Sequence, residues 1–146
     1  MRVKILKNIF LFCLLSIVLS SCTMDDYRNE MSFTYKLNSI KEVSMPDTLL
    51  SGEIYSFRVQ FENPADCYEF EGFHIEEGKN SNERLITAVS TVINEQQICS
   101  VYSTPKKEFA VLEFDVRRKD NYVLKFWQGT DDKGQPIYLT KRIEIR

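Results

Sequence analysis

Four cysteines, one histidine and a few adjacent acids are the residues that could do chemistry in this 146-residue chain. His74 is the only histidine, so a zinc site built from several histidines is excluded within one chain. A Ser-His-Asp triad would have to run through His74, and no G-x-S-x-G elbow accompanies it. Strand alternation places His74 opposite Phe73 and Ile75, on a solvated face. Glycoside chemistry needs two carboxylates roughly 5–10 Å apart in a cleft. Glu76-Glu77 and Asp131-Asp132 are instead neighbours in sequence, an arrangement typical of solvated acids. Asp131, Asp132 and Gln135 could hold Ca²⁺ loosely, but they read first as a hairpin loop. No dinucleotide fingerprint, P-loop or EF-hand pattern occurs. The expectation is a chain with no catalytic residue, no metal and no cofactor.

The aromatic residues offer binding rather than catalysis. Trp127, the lone tryptophan, alternates with Val123 and Lys125 on one face, opposite Leu124 and Phe126. A hairpin register described below puts Tyr138 across from it. Such a pair could be a stacking platform for a sugar ring or a partner. It could equally be a cross-strand pair contributing about 0.2–1 kcal/mol to the hairpin. Tyr68 and Phe70 share a face on another strand, where packing explains them.

Charge narrows the partners. The chain holds 19 basic and 21 acidic residues. Arg2, Lys4 and Lys7 all lie in the first 21 residues, which hold no acid. The remainder therefore has 16 basic and 21 acidic residues, net −5. An acidic body argues against nucleic acid, whose phosphates demand a basic stripe. The basic start is followed by Ile9–Leu19, an apolar stretch with the length of a signal-peptide core. It is shorter than the roughly 18 apolar residues needed to cross a bilayer.

Leu19-Ser20-Ser21-Cys22 resembles the lipobox of bacterial lipoproteins. That resemblance implies removal of residues 1–21 and attachment of lipid to Cys22, with membrane contact through the acyl chains. Each buried CH₂ contributes about 0.8 kcal/mol, and more than one chain makes anchoring stable. Thr23 is not the aspartate associated with inner-membrane retention, so the outer membrane is the implied location. Asp25 and Asp26 are similar to the acidic export signal of surface lipoproteins in the Bacteroidota, which points onward to the cell surface. With Cys13 removed and Cys22 lipidated, Cys67 and Cys99 remain as an even pair in an oxidising compartment. A disulfide between them is expected, with two separate buried thiols as the alternative.

The elements that must position these residues are strands. Residues 22–32 form a lipidated terminus and polar tether reaching at most about 35 Å, and residues 33–146 form the domain. Phe33–Leu37 alternates, as does Glu53–Phe61, with Tyr55, Phe57, Val59 and Phe61 on one face. Asn63-Pro64 signals a turn. Cys67–Glu76 is a strand in which Gly72 marks a bulge, and residues 78–83 form a loop. Leu85–Ile93 is rich in β-branched residues. Ile98–Ser103 is a short strand that Pro105-Lys106-Lys107 interrupts. Phe109–Val116 points Ala110, Leu112, Phe114 and Val116 inward. Tyr122–Gln128 and Ile137–Ile145 flank a turn centred on residues 131–134. Pairing Asp131 with Gly134 sets Phe126 against Leu139 and Trp127 against Tyr138; a bulge at Gly134 would shift this by one.

Seven or eight short strands without a helix signal predict an all-β fold, an antiparallel β-sandwich, with a barrel as the alternative. Aromatic residues make up 12% of the chain, which suits a β-rich core. Asp120-Asn121-Tyr122 resembles the tyrosine corner of immunoglobulin-like domains, although the Cys…Trp…Cys pattern of antibody domains is missing. Residues from Pro46 onward resemble small Bacteroidota lipoproteins with Ig-like domains. The features are Asn63-Pro64…Cys67-Tyr68-Glu69-Phe70, Cys99, Tyr122…Phe126-Trp127-Gln128-Gly129 and Gly134…Tyr138. The implied function is a lipid-anchored binding or assembly module for a protein partner. A glycan-binding lipoprotein using Trp127 and Tyr138 is the alternative.

Overall fold

Why the apolar residues alternate becomes plain in the computed structural model, which describes residues 33–93 and 99–146. The signal segment 1–21, Cys22, Asp25, Asp26, the tether to residue 32 and Ile98 lie outside the described residues. Nine strands follow one another: β1 (Phe33–Asn38), β2 (Ile40–Ser44), β3 (Thr48–Leu49), β4 (Ile54–Ala65), β5 (Tyr68–Glu77), β6 (Glu83–Ile93), β7 (Val101–Asp115), β8 (Tyr122–Thr130) and β9 (Pro136–Ile145). No helix occurs among the described residues. The strands form two sheets. In the larger, β6 carries β5 along one edge, while β1 and β8 share the other; β9 and then β3 continue beyond β8. The smaller has the order β2-β4-β7.

The two sheets meet through their alternating apolar faces. Phe57, Val59 and Phe61 of β4 and Leu112 and Phe114 of β7 pack in one core with Ile86 and Ala88 of β6 and Leu124 and Phe126 of β8. Phe114 bridges the layers, stacking on Phe57 at 5.8 Å and meeting Tyr122 edge-on at 5.2 Å. Fully burying such a side chain contributes roughly 1.5–3 kcal/mol. Tyr122 is buried, and its hydroxyl accepts the Arg118 N–H at 3.1 Å.

The two-sheet all-β architecture agrees with the pattern of the sequence, with four departures. Nine strands stand where seven or eight are expected, β2 and β3 being the additions. Two ladders are parallel, β6 with β8 and β3 with β9, where antiparallel pairing was expected throughout. Asn63-Pro64 is no turn: both residues belong to β4. Pro64 falls at an irregularity between Asn63 and Ala65, where its missing N–H removes no ladder bond. Pro105 does not end a strand either. The steps Asn63 to Ala65 on β4 face Lys106 to Val101 on β7, so Pro105 sits in a bulged stretch of an edge strand.

Candidate functional site

The outer face of the larger sheet is set by a single register. On β6, Ile86, Ala88, Ser90 and Val92 are buried, which turns Leu85, Thr87, Val89 and Thr91 outward. Their ladder partners share that face. Thr91 lies between Tyr35 of β1 and Glu69 of β5, and Val89 between Leu37 and Gly72. Thr87 pairs with His74 and Leu85 with Glu76. The middle row is thus Leu85, Thr87, Val89 and Thr91, flanked by Tyr35 and Leu37 on β1 and by Glu69, Gly72, His74 and Glu76 on β5. A groove of about 550 Å³ follows, walled by Tyr35 and Leu37 on one side and by Glu71, His74 and Glu76 on the other.

A bulge in β5 builds this arrangement. Phe70 pairs with Ser90 and Gly72 with Val89, so Glu71 is an extra residue. The extra residue puts Phe70 and Phe73 on the same inner face, where their rings meet edge-on at 5.2 Å. The same shift turns Gly72 and His74 outward. A Cβ placed on Gly72 would meet nothing within 4 Å, so the groove is open above it. Tyr35 is 66% exposed and Leu37 53%, so this wall stands uncovered among the described residues.

The electrostatics of the two ends differ. His74 Nε2 lies 3.8 Å from Glu76 Oε2, and both side chains are exposed. No hydrogen bond or ion pair engages the carboxylates of Glu69 and Glu71 among the described residues. Beyond Leu85, Lys125 Nζ donates to Glu83 Oε1 at 2.9 Å, and Asn80 Nδ2 donates to the same oxygen at 3.1 Å. These bonds, the one from Lys125 foremost, hold the Glu83 carboxyl below its ordinary range.

Trp127 and Tyr138 stand directly opposite each other on β8 and β9, as the sequence register requires, and both are half-buried. The β6–β8 ladder ends at Ile86 with Phe126, one residue before Trp127, and neither Trp127 nor Tyr138 lines the groove. Cys67 and Cys99 form a disulfide with their Cα atoms 5.4 Å apart. Asp66 is the third member of a metal-type donor cluster there, but the two sulfurs are bonded to each other. His74 is exposed, as expected, yet it belongs to the groove wall. Asp131 Oδ1 accepts the N–H groups of Lys133 and Gln135, both at 2.8 Å, and so caps its own turn. The alternation of Phe33–Leu37 was visible in the sequence, but alternation alone does not say which face meets the core. Here Phe33, Tyr35 and Leu37 face outward, which is why Tyr35 and Leu37 escaped notice as site residues. No protein-family model matches the chain, and no match was found among curated proteins or solved structures.

Proposed function

We propose that this protein is a non-catalytic binding module, anchored by lipid on Cys22 at the outer membrane, whose working surface is the outer face of the larger sheet. The observation that carries the binding role is the uncovered groove along β6, with Tyr35 and Leu37 exposed on its wall. Apolar side chains grouped around a concavity and rimmed by polar ones mark interaction sites more often than inert surface. The lipobox resemblance at Leu19–Cys22 supports the anchor.

Two measurements test the two halves. Cys22→Ala is expected to move the protein from the membrane fraction to the soluble fraction without loss of the β-sheet circular-dichroism signal; retention in membranes would defeat the anchor. A photo-crosslinking residue is placed at Leu37, and a control at Phe109 on the smaller sheet. The two positions are equally exposed, at 53%. Adducts in intact cells are expected from Leu37 and not from Phe109. Equal labelling at the two positions would remove the outer face from consideration.

A further inference from the structure

Nothing placed over β6 can pair with its backbone. β5 takes one edge along residues 84–92, and β8 and β1 take the other along 83–86 and 88–93. Strand addition, the usual way a sheet captures an extended polypeptide, is therefore closed at the groove floor. Whatever binds over the floor is therefore held chiefly by side chains. These are of two kinds. One wall carries an exposed ring, Tyr35, with Leu37 beside it. The other wall carries hydrogen-bonding groups, Glu71, His74 and Glu76, with Glu69 beyond them in the Tyr35 row.

From these we infer that the groove binds a neutral oligosaccharide lying along β6, several rings long. This deepens the proposed function and rests on the outer face being the binding face. A pyranose ring offers an apolar C–H face to an aromatic side chain and hydroxyl donors to a carboxylate. The floor supplies the length: Leu85 to Thr91 spans about 20 Å at strand rise. Tyr35 stands beside Thr91 at one end of this floor, so one sugar of the chain stacks there while the others meet the carboxylates. Three carboxylates along β5 set the charge. They accept from hydroxyls and repel sulfated or uronic chains, as well as any phosphate polymer.

The test uses the full chain in detergent, with Trp127 fluorescence and calorimetry as readouts. The probes are short neutral glucan, mannan and N-acetylglucosamine oligomers, their sulfated or uronic counterparts, and a lysine-rich hexapeptide. At least one neutral oligomer is expected to bind saturably, with acidic counterparts silent. Tyr35→Ala and Glu71→Ala should each weaken it about tenfold or more, while Phe109→Ala leaves it unchanged. Tyr35 is exposed enough that its loss leaves the fold intact, which thermal melting verifies. Binding only of acidic oligomers, or neutral binding insensitive to Tyr35→Ala, overturns the inference. If the hexapeptide binds in a Tyr35-dependent way and no sugar does, the sugar is wrong and the binding face stands. Silence from every sugar overturns the inference, and if crosslinking is also equal at Leu37 and Phe109 the binding face falls with it.

Discussion

Asn63 is 5% exposed and uses both ends of its amide. Its Nδ2 donates to the Tyr68 carbonyl at 3.2 Å and to Glu108 Oε1 at 2.8 Å. Its Oδ1 accepts the Ala65 N–H at 3.1 Å. One side chain thus ties the end of β4 to the start of β5 and to β7, at the point where Pro64 leaves the regular ladder. Asn63→Ala would leave the Ala65 N–H buried without its acceptor and free the corner beside the disulfide. Stranding a buried polar group costs about 1–3 kcal/mol, so a loss of about 2–3 kcal/mol is expected. Urea denaturation would show it as a lower midpoint at unchanged slope. An unaltered midpoint would mean that the corner is held without this amide. Asn63-Pro64 is legible in the sequence as a special place in the chain, but its residue types alone indicate a turn. The pair favours turns locally, and only the tertiary partners of Asn63 make a kinked strand cheaper than a reversal.

Among the elements, the β8–β9 hairpin shows how a correct register can be reached by the wrong route. The pairs Phe126–Leu139 and Trp127–Tyr138 follow from alternation, since any one-residue slip would turn Leu124 and Phe126 out of the core. At the turn, the Asp131 carbonyl accepts the Gly134 N–H at 2.9 Å, while the Asp131 N–H donates to the Gln135 carbonyl at 2.8 Å. Gly134, with its positive φ, is therefore an extra residue in the turn, the one-residue bulge the sequence allowed. The extra residue in the turn is absorbed by a bulge at Gln128, between the pairs Trp127–Tyr138 and Gly129–Ile137. Hydrophobic patterning therefore carries the register, while the position of a bulge is decided by turn geometry that patterning does not encode. The groove escaped notice for a related reason: it depends on which face of β1 turns inward and on the parallel β6–β8 ladder, both long-range choices. That ladder has a handle of its own in Glu83, which joins Asn80 and the start of β6 to Lys125 of β8. The folded state lowers the Glu83 pKa, so the stabilisation is present above the ordinary glutamate value of about 4.3 and is lost as pH falls through the lower folded value. Wild-type protein should melt above Glu83→Gln at neutral pH, and the two melting curves should converge as the pH falls through that lowered value. A gap that stays constant down to pH 3 would show that the carboxylate charge contributes nothing there.

At the level of the whole molecule, the chain crosses between sheets at both ends of its disulfide. β1 lies in the larger sheet and β2 in the smaller, with only Ser39 between them. Cys67 precedes β5 of the larger sheet and Cys99 precedes β7 of the smaller. Beside the bridge, Asp66 and Ser100 exchange hydrogen bonds, the Asp66 N–H to the Ser100 carbonyl at 3.2 Å and the Ser100 N–H to Asp66 Oδ1 at 2.9 Å. Neither sheet can come away without breaking such links and exposing the shared core, which Phe114 spans. Unfolding should therefore be a single event. Trp127 sits in the larger sheet and is the only tryptophan, so its fluorescence follows that sheet, whereas far-ultraviolet circular dichroism follows both. The two probes should give coincident guanidinium transitions. Reducing the bridge, which spans 32 residues, should lower stability by roughly 3–4 kcal/mol through the entropy regained by the unfolded chain. The transitions should shift together, because the shared core and the Ser39 crossing survive reduction. If fluorescence falls before circular dichroism in the reduced protein, the smaller sheet persists alone, and the disulfide rather than the core makes the two sheets one cooperative unit.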